Sequence, residues 1–198
     1  NGIILVTGAT GSGKSTTVAS MLDYINQNFT KNIISFEEPI EYLHRDKKCI
    51  INQKEIPDDV KDYKTALKYV LRQDPDIIFL GELRDQGTIE AAIKASETGH
   101  LVISTLHTIN ASKSISRILD FFPPEKSKSL RFQLAENIRA IVSQRLLKTL
   151  EGGKRVVAEV LINTGTMQEL ISTEEGLRRI PEIVKKSEHL GMQSFDSE

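Results

Sequence analysis

The sequence contains a single cysteine, Cys49, among 198 residues. One cysteine excludes an internal disulfide framework and a cysteine-based zinc site, and it is typical of a reducing compartment. The chain also lacks the run of roughly 20 apolar residues that a membrane-spanning helix requires. Its first residues do not follow the pattern of a signal peptide. We therefore expect no direct insertion into a membrane.

Neither sign of charge is in excess, because 26 basic residues stand against 27 acidic ones and the net charge is -1. Nucleic-acid-binding domains usually have a strong basic excess, so no nucleic-acid partner is predicted. The length suits one substantial domain with a buried core. A strand-like run begins by residue 3 and the first residue is not Met, which predicts that an upstream part of the protein is missing from this chain.

Apolar runs alternate with amphipathic segments along the chain, which is the pattern of a parallel sheet covered by helices. The expected fold class is therefore α/β. The stretch "EGGK" between the last two strands predicts a hairpin, followed by short helices. The predicted strands are 3–6, 32–36, 49–53, 76–80, 101–106, 141–147 and 156–162. The predicted helices are 14–28, 63–72, 87–97, 111–120 and 125–138.

The stretch "GATGSGKST" lies between the first predicted strand and the first predicted helix. Its spacing, Gly-x-x-x-x-Gly-Lys-Ser, is that of a phosphate-binding loop, in which bare backbone N–H groups surround a polyphosphate. The lysine would contact the β- and γ-phosphates, the serine hydroxyl would bind Mg²⁺, and the positive end of the helix would face the anion. The predicted nucleotide-binding residues are Gly8, Ala9, Thr10, Gly11, Ser12, Gly13, Lys14, Ser15 and Thr16.

Acidic residues follow two of the predicted strands. Glu82 comes just after "DIIFL", where the acid of a Walker B motif would stand, although Gly81 occupies the position where Asp is usual. Glu37 and Glu38 follow "NIISF" directly. An acidic cluster of this kind is often only a solvated turn. Because the carboxyl ends of parallel strands meet at one edge of the sheet, we expect Glu37 and Glu82 to act near the phosphate-binding loop.

Two histidines and two arginines complete the set of candidate residues. His107 ends the strand in "TGHLVISTLHT" and could hydrogen-bond a γ-phosphate, whereas His100 lies at the start of that strand. Arg72 and Arg84 flank "DIIFL", and an arginine can stabilise phosphoryl transfer. For each of these residues a purely structural or surface role is the alternative.

Four stretches together resemble one family. "VTGATGSGKSTT", "FEEPIEYLH", "LRQDPDIIFLGELRD" and "TGHLVISTLHT" are similar, in order and spacing, to the Walker A, Asp, Walker B and His boxes of the type II/type IV secretion ATPases. The resemblance extends through "RILDFFPPE", "IRAIVSQRLL" and "LGMQSFD" and so covers nearly the whole chain. Within the family the chain resembles the PilT/PilU-like branch, the type IV pilus retraction ATPases.

The resemblance implies a RecA-like P-loop NTPase domain. Residues 1–140 would form the nucleotide-binding core and residues 141–198 a small C-terminal extension, with an N-terminal PAS-like domain outside this chain. The implied protein is a cytoplasmic homo-hexamer, peripheral at the inner membrane, that hydrolyses ATP with Mg²⁺ to disassemble a pilus. Its implied partner is the inner-membrane platform protein at the pilus base. Without the PAS-like domain, the chain is expected to hydrolyse ATP slowly or not at all.

The resemblance also implies a role for each candidate residue. Glu37 would be the catalytic glutamate that acts on water, and Glu82 would be the Walker B glutamate that assists Ser15 in holding Mg²⁺. His100 and His107 would form the His-box pair. Arg72 and Arg84 lie in matching segments.

One departure from the family pattern leaves alternatives open. Retraction motors have a signature similar to "AIRNLIRE" where this chain has "GTMQELIST", over 165–173. A pilus-assembly or secretion ATPase of the same family is therefore one alternative, although the single cysteine cannot form the tetracysteine zinc module usual in that branch. A nucleotide-gated accessory subunit with little turnover is the other alternative.

Overall fold

The computed structural model describes residues 1–197 of the chain. These residues fall into two compact units. The first comprises Asn1–Ile3 and Ser15–Thr105, and the second comprises Ile4–Lys14 and the chain from Leu106 onward. In the described part of the chain, no helix is both long and apolar enough to cross a membrane.

Strands and helices alternate through most of the chain. The strands are β1 (Gly2–Gly8), β2 (Asn32–Glu37), β3 (Ile50–Glu55), β4 (Ile77–Leu80), β5 (Leu101–Leu106), β6 (Ile138–Lys148) and β7 (Lys154–Ile162). The helices are α1 (Lys14–Asn28), α2 (Tyr63–Val70), α3 (Gln86–Glu97), α4 (Ala111–Asp120), α5 (Pro124–Asn137), α6 (Gly165–Ile171) and α7 (Glu174–Lys186). Two short 3₁₀ turns follow, at Glu188–Leu190 and Phe195–Ser197.

The strands form one sheet in the order β3-β2-β4-β5-β1-β6-β7. In the first unit, β2 pairs in parallel with both β3 and β4, and β4 pairs in parallel with β5. The four residues of β4 are apolar and buried, as expected for a central strand of a sheet covered on both faces. The parallel pairing brings the ends of β2 and β4 together, because Phe36 lies beside Leu80.

In the second unit, β6 and β7 form an antiparallel hairpin whose register runs from Ala140 opposite Ile162 to Lys148 opposite Lys154. Helix α4 begins at the Asn110 N-cap, whose side chain accepts a hydrogen bond from Lys113 N. Thr164 and Thr173 cap α6 and α7 in the same way. These capping residues satisfy backbone N–H groups that would otherwise lack partners at the helix starts.

The α/β class, the mostly parallel sheet and the C-terminal hairpin are confirmed, and several predicted boundaries are wrong by a few residues. The helix predicted over 63–72 ends at Val70, and the helix predicted over 125–138 ends at Asn137, since Ile138 already begins β6. The hairpin strands, predicted over 141–147 and 156–162, are longer because cross-strand pairing continues to Lys148 and Lys154. The division at about residue 140 into a core and an extension stays a prediction.

Candidate functional site

The loop between β1 and α1 has a backbone that only glycine tolerates at three positions. Gly8, Gly11 and Gly13 have φ angles of +149°, +76° and +92°, values that side chains disfavour. A Cβ atom on Gly8 would lie 2.4 Å from the carbonyl oxygen of Gln144 and 2.5 Å from the Ser12 hydroxyl. The loop therefore carries no side chain at these three positions, because of its conformation at all three and also for lack of space at Gly8.

Lys14 begins α1 and folds back over this loop. Its side chain is buried, and Nζ donates hydrogen bonds to the carbonyl oxygens of Gly8 at 3.0 Å and Ala9 at 3.1 Å. These contacts hold the ammonium group against the loop. Helix α1 has no acidic residue in its first turn, so no carboxylate of that turn offsets the positive end of its dipole.

The chemistry of this loop fits a polyphosphate. The Ser12 hydroxyl is buried and has no hydrogen-bond partner, and a buried polar group in that state is stabilised when a ligand supplies the partner. A positive ammonium, a glycine-rich backbone and a helix N-terminus all favour an anion. Ser15 is half-buried in the first turn of α1. Thr16 is exposed, and its hydroxyl is 2.8 Å from the Tyr42 hydroxyl.

Glu37 is the last residue of β2, and its side chain is buried. Oε1 accepts hydrogen bonds from the Ser35 hydroxyl at 2.7 Å and from Gln53 Nε2 at 3.0 Å. Ser35 is two residues before Glu37 on the strand, so their side chains share one face. Gln53 of β3 lies directly opposite Ser35. These two donors fix the orientation of the carboxylate.

Glu82 follows β4 at the same edge of the sheet, and Arg84 connects it to Glu38. Arg84 Nε donates to Glu82 Oε2 at 2.7 Å, and Arg84 Nη1 donates to Glu38 Oε2 at 2.8 Å. The hydrogen bond to Glu82 is the main reason that the pKa of Arg84 is raised. The side chain of Glu82 is 20% exposed, whereas that of Arg84 is 51% exposed. The arginine therefore holds two carboxylates together in a partly solvated position.

Tyr63, the first residue of α2, is a member of this cluster that sequence analysis missed. Burial raises the pKa of its hydroxyl to about 12, and the nearby charge of Glu38 acts in the same direction. The phenol therefore stays protonated at neutral pH. Ser35 and Gln53 were missed as well. The alternation along β2 could have identified Ser35, but Gln53 and Tyr63 depend on pairing and packing that a single sequence does not reveal.

Of the remaining candidates, Arg72 and His100 precede β4 and β5, whereas His107 follows β5. Arg72 is exposed in the connection that precedes β4, whereas Glu82 and Arg84 follow that strand. His100 precedes β5, and its Nδ1 is 2.9 Å from Ala95 O and 3.2 Å from the Thr98 hydroxyl. His107 follows β5 and is exposed.

No group of three or more His, Cys, Asp or Glu side chains that could hold a metal ion is found among residues 1–197. Magnesium in phosphoryl-transfer sites is usually held by one or two protein ligands together with phosphate oxygens and water. The hydroxyl of Ser15 and the carboxylate of Glu82 are groups of the right chemistry for that role.

Comparison with known proteins identifies several similar chains. The chain is 45% identical over 195 residues to the type IV pilus retraction ATPase PilT of Pseudomonas aeruginosa, covering 98% of this chain and 56% of that protein. It is 43% identical to the type IV pilus ATPase PilU of the same organism, covering 98% of this chain and 51% of that protein. The chain thus spans between half and three fifths of the length of these relatives.

Solved structures show the same fold. The crystal structure of the pilus retraction motor PilT with bound ADP superposes with a TM-score of 0.87 at 44% identity, covering 99% of this chain and 60% of that one. The Legionella pneumophila ATPase DotB gives a TM-score of 0.86 at 28% identity, with 98% and 54% of the two chains covered. The family model described as "Type II/IV secretion system protein" matches residues 1–152. The chain therefore belongs to the type II/IV secretion system protein family.

Proposed function

We propose that this chain is the RecA-like, ATP-hydrolysing motor domain of a type IV pilus retraction ATPase. The observation that carries the proposal is the loop from Gly8 to Lys14, with its bare amides, its buried hydroxyl on Ser12 and its anchored ammonium. The chain is similar over 98% of its length to a retraction ATPase, which supports pilus retraction as the process that it drives. Its similarity to a retraction motor with bound ADP supports ATP as the nucleotide.

The proposed roles follow from the chemistry of each side chain. The amides of Gly8–Thr16 and the Lys14 ammonium bind the phosphates. Ser15 would hold Mg²⁺ through its hydroxyl. Glu82 would hold it through its carboxylate, either directly or through an intervening water. When bound, Mg²⁺ offsets the negative charge of the phosphates. Glu37 orients the attacking water and accepts its proton, a role that its two fixed hydrogen bonds support.

Other residues act around this centre in the proposal. Arg84 keeps Glu82 oriented through its 2.7 Å hydrogen bond. His107, exposed after β5, contacts the γ-phosphate. His100 is the second histidine of the pair, and its contact with Ala95 O supports a role in fixing the start of β5. Arg72 is exposed and accessible to a neighbouring subunit.

For the full-length protein we propose a homo-hexamer at the cytoplasmic side of the inner membrane. In this proposal residues 1–140 form the nucleotide-binding core and residues 141–198 the C-terminal extension. An N-terminal PAS-like domain, outside the chain described here, completes each ATP site. The platform protein at the pilus base is the partner on which the motor acts. Sizing and ATPase assays on the full-length protein beside residues 1–198 test this arrangement, and equal activity of the two chains would contradict it.

The function is tested by deleting the gene in a piliated host. We expect surface pili to remain while twitching motility stops, and we expect the full-length wild-type gene to restore movement. A Lys14→Ala version should fail to restore it because the loop loses its cation. A deletion strain without any surface pili would refute retraction and would favour the pilus-assembly or secretion alternative.

The comparisons leave the accessory-subunit alternative open. Identity to PilT, 45%, and identity to PilU, 43%, are nearly equal, so overall similarity does not separate the two roles. A null strain complemented with full-length Glu82→Gln decides between them. Restored twitching would show that turnover at this site is dispensable, and failure to restore it would support the motor.

A further inference from the structure

A groove with a volume of about 940 Å³ lies among α4, α5 and the start of α7, all in the second compact unit. None of the residues that line it belongs to the Gly8–Lys14 loop or to the carboxylates and histidines proposed above for hydrolysis. Small-molecule sites in proteins commonly have volumes of about 300–1,000 Å³. The groove is therefore large enough for an organic ligand and not only for a single ion.

The groove is positively charged, although the chain as a whole has a net charge of -1. Its basic side chains are Lys113, Lys128, Arg131 and Arg178, and its acidic side chains are Asp120 and Glu174. Both acids are exposed to solvent, and Glu174 is paired with Arg178 at 3.9 Å. An excess of positive charge on one concave surface favours an anionic ligand.

Arg131 is the basic residue whose surroundings most clearly call for a ligand. It is half-buried on α5, and its Nη1 atom is buried without a hydrogen-bond partner within residues 1–197. In the same part of the chain, the side chains of Lys113, Lys128 and Arg131 form no ion pair with an acid. A guanidinium group that loses part of its hydration and gains no partner costs stability. An anion in the groove would supply the missing counter-charge.

We infer that this groove binds a small organic phosphate, whose phosphate group contacts Lys113 of α4 and Lys128 and Arg131 of α5. A phosphate monoester carries a charge of about -1.5 to -2 at neutral pH, which suits several unpaired cations better than the single charge of a carboxylate. Its oxygens accept hydrogen bonds from ammonium groups and from the guanidinium fork. The inference does not rest on the proposed ATPase activity, because the groove is separate from the nucleotide-binding loop.

The experiment is calorimetric titration of the full-length protein, saturated with Mg-ADP, with glycerol 3-phosphate. Succinate, a dicarboxylate of similar charge, is the second titrant at equal ionic strength. Arg131→Met and Lys128→Gln are compared with the wild type, and Lys126→Gln is the matched control. Lys126 is exposed on the same helix as Lys128 but does not line the groove. The Lys14→Ala variant tests whether binding is independent of the nucleotide-binding loop.

We expect the wild type and Lys14→Ala to bind glycerol 3-phosphate equally and to bind succinate more weakly. Arg131→Met should weaken glycerol 3-phosphate binding about tenfold or more, because a charge-assisted hydrogen bond is lost. Lys128→Gln should weaken it about threefold, as expected for an exposed charge, and Lys126→Gln should leave it unchanged. Without ligand, the melting temperature of Arg131→Met should equal or exceed that of the wild type, because the variant no longer buries an unpartnered nitrogen.

Several results would overturn the inference. They are no binding by the wild type, equal affinity for succinate, and equal affinities of Lys126→Gln and Lys128→Gln. A lower melting temperature of ligand-free Arg131→Met would show that the fold already compensates this charge, and it would contradict the inference as well. If Arg131→Met fails to fold, the two lysine variants still decide. Loss of binding in Lys14→Ala would place the phosphate in the nucleotide-binding loop, which would refute the groove and support the proposed function.

Discussion

The hydroxyl of Tyr63 lies 2.7 Å from the position that a Cβ atom on Gly81 would occupy. The carbonyl oxygen of Phe36 and the Cα atom of Glu37 lie 3.4 and 3.5 Å from the same point. A glycine at this position lets α2 and the end of β2 pack against the end of β4. A side chain at residue 81, such as the aspartate usual in the Walker B pattern, would have to displace the Tyr63 hydroxyl.

Replacing Gly81 with alanine should therefore destabilise the fold. The new methyl group must displace Tyr63 or the end of β2, and we expect a loss of about 1–3 kcal/mol in the free energy of unfolding. Urea denaturation measures the loss. In a Tyr63→Phe background, which removes the obstructing hydroxyl, the same substitution should cost clearly less. An unchanged cost in that background would show that Tyr63 is not the obstacle.

Gly165 provides the control for this prediction. It begins α6, its φ angle is not in the positive range, and nothing lies within 4 Å of its would-be Cβ atom. Gly165→Ala should leave stability unchanged or raise it by less than about 1 kcal/mol, since alanine restricts the unfolded chain. A large loss at Gly165 would indicate that any added methyl group is harmful here, whatever its surroundings.

Glu37→Gln should remove turnover while preserving nucleotide binding. A glutamine oxygen can still accept the hydrogen bonds from Ser35 and Gln53, but the amide cannot take a proton from water. We expect the rate of phosphate release by the full-length protein to fall about 10²- to 10⁴-fold. Affinity for ADP should stay the same. The exposed Glu41, changed to Gln, is the control and should have wild-type turnover. Retained activity in Glu37→Gln would eliminate this carboxylate as the base.

Arg84→Gln should change the magnesium dependence of turnover while leaving the stability of the fold nearly unchanged. The ion pairs of Arg84 with Glu38 and Glu82 are partly exposed, and such pairs contribute about 0–1 kcal/mol. We therefore expect a small change in unfolding free energy but a higher magnesium concentration for half-maximal turnover, since Glu82 loses its orientation. Arg84→Lys should restore little of the wild-type magnesium dependence, because an ammonium group cannot bridge two carboxylates with the planar geometry of the guanidinium.

The matched control for Arg84 is Arg178→Gln. Arg178 is 81% exposed and pairs with Glu174 of its own helix at 3.9 Å. Its removal should change neither stability nor magnesium dependence. If Arg84→Gln and Arg178→Gln gave the same magnesium dependence, the bridge to Glu82 would have no functional role.

The order of strands and helices could be predicted from the sequence because it depends on local patterns. Buried runs such as "IIFL" alternate with amphipathic helices, and the glycine spacing before Lys14 requires a loop. The residues at which helices and strands begin and end are predicted less accurately. Strand β6 begins at Ile138, two residues before its pairing with β7 starts at Ala140, so a local helical pattern that continues through Ile138 is misleading at that point.

The candidate site was predictable as residue types at strand ends but not as a network of contacts. Glu37 and Glu82 follow apolar strands, and that pattern is visible in one sequence. The bridge from Arg84 to both Glu38 and Glu82 requires the parallel pairing of β2 with β4. Tyr63 reaches the cluster from a helix that begins 18 residues before Gly81 in the sequence. Such contacts are set by tertiary packing, and no local pattern encodes them.

Glu159 gives a prediction about pH, because it is a buried carboxylate on β7. Oε1 accepts a hydrogen bond from the backbone N–H of Ala111, the first residue of α4, at 2.8 Å. Burial raises the pKa of this carboxyl above its ordinary value of 4.5, and the Ala111 hydrogen bond and the charge of Arg145 only partly oppose the shift. An acid whose pKa is higher in the folded state binds its proton more tightly there. Its ionised form therefore costs stability at neutral pH, and that cost disappears as the pH falls through the raised pKa towards 4.5.

Glu159→Gln keeps an oxygen acceptor for Ala111 N and removes the buried charge. We expect the variant to gain stability relative to the wild type at pH 8, and we expect the gain to shrink as the pH is lowered to 5. Urea denaturation across this range measures the difference. Glu151 is an exposed carboxylate in the turn between β6 and β7. The free energy of unfolding of Glu151→Gln should therefore equal that of the wild type at every pH in this range. A constant difference between Glu159→Gln and the wild type from pH 8 to 5 would show that the ionised carboxylate carries no burial cost, and the acceptor role of Oε1 alone would then explain its position.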